Sequence, residues 1–270
     1  MPASSRYIGV TGFTSPEEVA VALRVFDHYR DESLAPRLMI GVLASNKTLR
    51  GERTRYPHRY PEIEHIPSIF PRSDRAVGLV HYATDDPDTI DEQLEELMRH
   101  CGDGCTGFQL NMAWPKPELL SSIPLDMHVV LQIGSRALEM AGNDPDEVAR
   151  RVAEYGSLAR KGPMYIGPVT DVLIDASGGR GVPIDLTMAD AYVGALTQHR
   201  EWLRVGVAGG LDHATLVSNA FRQFMKKHSG TFCPQISIDA EGRLRTEDDQ
   251  LDLHRMVAYL HAAFLLYSTV

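Results

Sequence analysis

The chain has 270 residues, 43% of them hydrophobic and 23% charged, with a formal net charge of −9. Length and composition suit one large folded core, and an acidic balance without a long basic run argues against a nucleic-acid coat, although a few local N–H groups suffice to hold one small phosphorylated ligand. No apolar run reaches the ~18 residues of a membrane helix. Met1-Pro-Ala-Ser-Ser is not a signal sequence, and the three cysteines (Cys101, Cys105, Cys233) fit reduced thiols, so the expectation is a cytoplasmic protein.

Apolar runs and amphipathic runs alternate along the chain. Tyr7–Val10 reads as the first strand, with Thr11 at its end. Ser15-Pro16-Glu17-Glu18 follows as a capping box with proline at the first helical position. Leu38–Leu43 is the second strand. The stretch 45–74 after it is irregular and basic, holding Lys47, Arg50, Arg53, Arg55, Arg59 and Arg72. A loop of that length in a compact domain is functional or disordered, and Lys47 is a candidate substrate contact. Ala76–His81 is the third strand, and Asp86-Pro87 starts a helix. Gly107–Asn111 is the fourth and His128–Ile133 the fifth, with Arg136 just beyond and Asp144-Pro145 as another helix start. Val172–Asp175 runs into the glycine-rich turn Gly178-Gly179-Arg180-Gly181 and then Asp185. Arg204–Ala208 ends in Gly209-Gly210. Gln235–Ile238 precedes Ala240-Glu241-Gly242. Asp212 and Thr246 are N-cap candidates, and Met256 to Tyr267 reads as a last helix.

Eight β–α alternations in this length imply an α/β fold, a single (β/α)8 TIM barrel spanning 1–270, in preference to a doubly wound open sheet that would leave two strands over. In such a barrel the loops at the strands' C-terminal ends carry the chemistry. Asp175 is therefore a candidate general acid or base, and His81 a candidate second proton-transfer group. Gln109 and Asn111 can hydrogen-bond a polar substrate, Arg136 can clamp a carboxylate, and Gly179 and Gly181 flank the acid. Backbone N–H groups around Gly209, Gly210, Ala240, Glu241 and Gly242 make a candidate phosphate site, with the Glu241 carboxylate repulsive unless it points away. No His-x-His, His-Glu-x-x-His, P-loop or dinucleotide fingerprint occurs, so neither a metal nor a cofactor is implied. The sixth strand carries no lysine for a Schiff base.

Taken together these motifs resemble the phosphoribosylanthranilate isomerase family. The sixth-strand Asp175, Gly178-Gly179-Arg180-Gly181 and Asp185 match its pattern, as does Ala208-Gly209-Gly210-Leu211 after the seventh strand. Phe108-Gln109-Leu110 and Thr11-Gly12-Phe13-Thr14-Ser15-Pro16-Glu17 are weaker matches. The resemblance implies a barrel isomerase of a small phosphorylated metabolite, of the intramolecular oxidoreductase, Amadori-like type, with Asp175 in the place of the general acid. It departs at Thr11, which stands where the family has its catalytic cysteine. A threonine hydroxyl does not ionise in an accessible range, so the resemblance carries the scaffold and phosphate site further than the standard activity. A non-catalytic phospho-ligand-binding barrel, or a metal-dependent epimerase or lyase using His81 and Asp175, are the alternatives.

Overall fold

The computed structural model describes residues 6–29, 36–112, 114–124, 126–156, 169–175, 177, 181–198, 203–228 and 236–269. Its strands are β1 (Tyr7–Thr11), β2 (Arg37–Ser45), β3 (Ala76–Ala83), β4 (Gly107–Leu110), β5 (His128–Ile133), β6 (Asp171–Ile174), β7 (Arg204–Ala208) and β8 (Ser237–Ala240). They pair in parallel and in chain order, and β8 returns to β1, closing a barrel. The chain is thus a (β/α)8 barrel, as expected. β8 begins and ends two residues later than the apolar pattern suggested. That pattern's first residue, Gln235, lies outside the described residues.

The helices are α1 (Pro16–His28), α2 (Asn46–Leu49), α3 (Ile66–Ile69), α4 (Ile90–His100), α5 (Ser135–Met140), α6 (Pro145–Gly156), α7 (Leu186–Gln198), α8 (His213–Val217), α9 (Asn219–Lys227) and α10 (Leu253–Tyr267). Ser15 caps α1 in the full capping box that its sequence encodes. Thr246 caps no helix. It accepts from Asp249 and Gln250 in a tight turn, and Asp252 caps α10 through the His254 and Arg255 amides. Pro87 opens a short 3-10 turn ahead of α4 rather than α4 itself. The basic stretch 45–74 is partly structured, by α2, α3 and two 3-10 turns.

Strand alternation divides the apolar residues into two cores. One lies between sheet and helices. The other fills the barrel with Tyr7, Met39, Val77, Leu79, Val130, Leu173 and Ala208. Below that inner layer, at the strands' N-terminal end, Arg204 pairs with Asp171 at 2.5 Å. Above it, toward the strands' C-terminal ends, inward positions of β1, β3, β4, β5 and β8 and the residue just past β6 are polar. α10 is pinned to α1 by Phe264, which meets Phe26 edge-on at 4.6 Å and stacks on Tyr29 at 4.2 Å between ring centroids.

Candidate active site

The polar layer is continuous. Asp239 on β8 meets Thr11 on β1, whose Oγ1 lies 3.0 and 2.9 Å from the two carboxylate oxygens. The same Oγ1 is 3.3 Å from His81 Nδ1. Gln109 Nε2 donates to His81 Nδ1 at 3.2 Å and to Gln132 Oε1 at 3.1 Å. Gln132 Nε2 donates to Asp175 Oδ2 at 2.8 Å. Asp175 Oδ1 accepts from the Ser177 amide and hydroxyl at 3.0 and 2.7 Å. Every member from Asp239 to Asp175 is 5% exposed or less. Six residues, five on strands and Asp175 just past the end of β6, thus form one hydrogen-bonded floor, which fixes their orientations in low dielectric.

The electrostatics of the floor follow from burial. The His81 ring, accepting at Nδ1, carries its proton on Nε2, and burial pulls its pKa down to about 3, so it stays neutral. Its Nε2 and the Gln109 Oε1 have no partner among the described residues. Burial raises the Asp239 carboxyl well above the ordinary carboxylate range, the Thr11 hydrogen bond opposes this, and the charges of Glu241 and Asp175 add to it. Burial raises Glu241 as well, against Arg59, whose Nη1 lies 2.8 Å from Glu241 Oε1.

Over the floor opens a small pocket whose walls include His81, Gln109, Asn111, Asp175, Gly181, Gly209, Gly210, Glu241 and Gly242. The Gly209-Gly210 turn needs its glycines. Both have positive φ (110° and 55°), and a Cβ on Gly210 would lie 2.7 Å from the Val182 carbonyl. Arg243 draws the surrounding loops together, donating to Gly181 O at 3.2 Å and to Asp212 Oδ2 at 3.0 Å. Ala240 lies within β8 with its side chain in the outer core. Gly179 falls outside the described residues.

A larger cleft of about 570 Å³ adjoins this pocket at Asn111 and lies over the ends of β2 to β5. Lys47, Arg50, Arg55 and Arg136 line it, with Glu52 and Asp85 as the opposing charges. Arg136 is exposed and sits 3.6 Å from Asp85, a loose surface pair. Lys47 and Arg136 therefore share a cavity with each other, separate from Asp175. Arg59, from the same basic stretch, is committed internally to Glu241 and Asp249.

The strand-end motifs pointed to Thr11, His81, Gln109 and Asp175, and the fold brings these four together. They missed Asp239, Gln132 and Ser177. Gln132 interrupts the apolar run His128–Ile133 at an inward position, and Asp239 is two residues on from the buried Ser237. Among the described residues there is no cluster of three or more His, Cys, Asp or Glu arranged to hold a metal ion. No helix among them is long and apolar enough to cross a membrane.

No protein-family model matches the chain, and no curated protein matches it. Solved structures do. Phosphoribosyl anthranilate isomerase from Thermus thermophilus is 15% identical with a TM-score of 0.59, over 96% of this chain and 99% of that one. The Thermotoga maritima isomerase is 15% identical with a TM-score of 0.60, over 96% and 98%. A phosphoribosyl anthranilate isomerase in complex with reduced 1-(o-carboxyphenylamino)-1-deoxyribulose 5-phosphate is 13% identical with a TM-score of 0.59, over 96% and 98%. The chain shares their fold along nearly its whole length.

Proposed function

We propose that this barrel is an acid/base isomerase of a small phosphorylated metabolite, acting in the cytoplasm, with Asp175 as one of its proton-transfer groups. The observation that carries the reading is the polar floor itself. Filling a barrel mouth with two carboxyls, a histidine and two amides costs stability unless each is paired, and on two residues that line the pocket one donor and one acceptor, His81 Nε2–H and Gln109 Oε1, have no partner among the described residues. Substrate hydroxyl or carbonyl groups satisfy such atoms. The phosphate would rest on the turns at Gly209-Gly210 and Gly242, where Arg59 balances the charge of Glu241. The rest of the ligand would extend past Asn111 into the basic cleft of Lys47 and Arg136. The fold shared with isomerases, one of them solved with a phosphorylated ligand, supports the same reading.

The test is proton exchange. Aldose and ketose phosphates incubated with the protein in heavy water should take up deuterium next to the carbonyl. Asp175→Asn should lower that rate at least ~100-fold, the usual span of general acid–base catalysis, while ligand-induced thermal stabilisation persists. A sugar phosphate that stabilises the protein without exchange or mass change would make the barrel a phospho-ligand binder instead.

A further inference from the structure

The site as read so far has one proton-transfer carboxyl, and Thr11, at the position opposite, does not ionise. The floor contains a second carboxyl. Asp239 sits on the wall of the same pocket as Asp175, at the other end of the hydrogen-bonded string. The barrel makes room for it deliberately. In register Asp239 lies between Gly9 on β1 and Ala208 on β7. A Cβ on Gly9 would lie 2.7 Å from Asp239 Oδ1, and one on Gly41 would lie 2.6 Å from Thr11 Oγ1 and 3.0 Å from His81 Nε2. Small residues therefore surround the acid, its hydroxyl partner and the ring beyond.

We propose that Asp239 is the second proton-transfer residue of this site, the acid opposite Asp175, with Thr11 as its positioning hydroxyl. This rests on the isomerase reading above and assigns its missing half. The two carboxyls have different surroundings. Asp175 accepts three hydrogen bonds from Gln132 and Ser177, which orient its carboxyl toward the pocket. Around Asp239 stand Tyr7 and Thr11 from β1, neutral His81 from β3, Tyr259 from α10 and the Asp175 and Glu241 carboxyls; the two carboxyls favour its protonated form, while the Thr11 hydrogen bond and the Ala240 amide favour the charged one. Burial, the largest cause, favours the protonated form. A hydroxyl both donates and accepts, so Thr11 serves either state. It donates to the Asp239 carboxylate. When Asp239 holds its proton, Thr11 Oγ1 accepts that hydrogen bond instead.

The chemistry then balances without a further reactant. Asp175 takes the proton from the carbon next to a carbonyl or imine. The C–H electron pair becomes the new C=C bond, the old double bond's pair moves to its oxygen or nitrogen, and that atom takes the Asp239 proton. Return of the protons to the exchanged positions completes a 1,2-shift. Two carboxyls at opposite ends of one hydrogen-bonded string thus divide the acid and base tasks.

The experiment has two arms. Isotope-edited infrared spectra of carbon-13 aspartate-labelled protein at neutral pH should show a carboxylic-acid C=O band that Asp239→Asn removes, Thr11→Val shifts and Thr11→Ser keeps. In heavy water, Asp239→Asn should slow deuterium uptake by sugar phosphates about 100-fold or more with little change in KM. Thr11→Val should slow it about tenfold, with rescue by Thr11→Ser. Thermal denaturation of each variant confirms folding. If the wild type exchanges no sugar phosphate, the isomerase reading falls, and the infrared band still decides whether Asp239 holds the proton. If the wild type exchanges and Asp239→Asn matches it, or the band is absent, the assignment of Asp239 falls alone.

Discussion

At the scale of single residues, the site depends on what is small as much as on what is polar. Gly41 leaves the gap into which Thr11 Oγ1 and His81 Nε2 project. Gly41→Ala adds one methyl group to a fully enclosed layer and should destabilise the fold by about 1–3 kcal/mol, the range for overpacked cores. Because the first atom it meets is Thr11 Oγ1, the variant should also disturb the Thr11–Asp239 pair. Urea unfolding measures the first effect and the aspartate infrared band the second. An alanine variant with unchanged stability and spectrum would mean the layer is looser than its distances imply. Asp239 itself was not legible in the sequence. Its neighbours Ala240-Glu241-Gly242 read as a turn, and the strand pattern stopped at Ile238. One more alternation after Ser237 brings Asp239 inward, but only the closed barrel sets it against Thr11, 228 residues away.

Elements were more legible than their ends. His128–Ile133 and Arg204–Ala208 match their apolar runs residue for residue, because each is a short buried run that pairs on both edges. β8 moved because its register is set by β1 and β7, and no local signal marks where its pairing begins. Thr246 reads as the N-cap before the last helix. The structure uses Asp252, since Thr246 is consumed by the turn that Asp249 closes with a φ of 63°. The cap at Ser15 was readable in full because both halves of the box are local. Ser15 Oγ accepts from the Glu18 amide, and Glu18 Oε2 accepts from the amides of Thr14 and Ser15 at 2.7 and 3.2 Å. Ser15→Ala removes one half and should cost about 1 kcal/mol, a drop of about 2–4 °C in Tm for a chain of this size. Thermal denaturation checks it, and deuterium uptake by the variant should stay at the wild-type rate, since α1 begins outside the polar floor.

Across the whole molecule, barrel closure puts two groups of opposite titration behaviour into one hydrogen-bonded layer, and stability should record both. His81 is held neutral, with a folded pKa of about 3 against ~6.5 in the unfolded chain. Between those values the unfolded chain binds more protons, so the His81 contribution is lost as pH falls from 6.5 toward 3. Asp239 has the opposite sign. Its folded pKa lies above the ~3.9 of an unfolded aspartate. Its contribution is complete below that value and is lost as pH rises through the folded pKa. Above about pH 4, and up to the folded Asp239 pKa, the two slopes oppose each other in the wild type. Asp239→Asn removes one slope and leaves the other. The variant should therefore lose more stability than the wild type between pH 7 and pH 5, because the His81 slope is then unopposed. His81→Gln should do the reverse, gaining stability on acidification relative to the wild type. Urea titrations of the three proteins at the two pH values measure both differences. Parallel pH dependence in wild type and Asp239→Asn would mean that Asp239 titrates in the folded protein as it does in the unfolded chain, and the division of acid and base between Asp239 and Asp175 would lose its electrostatic basis.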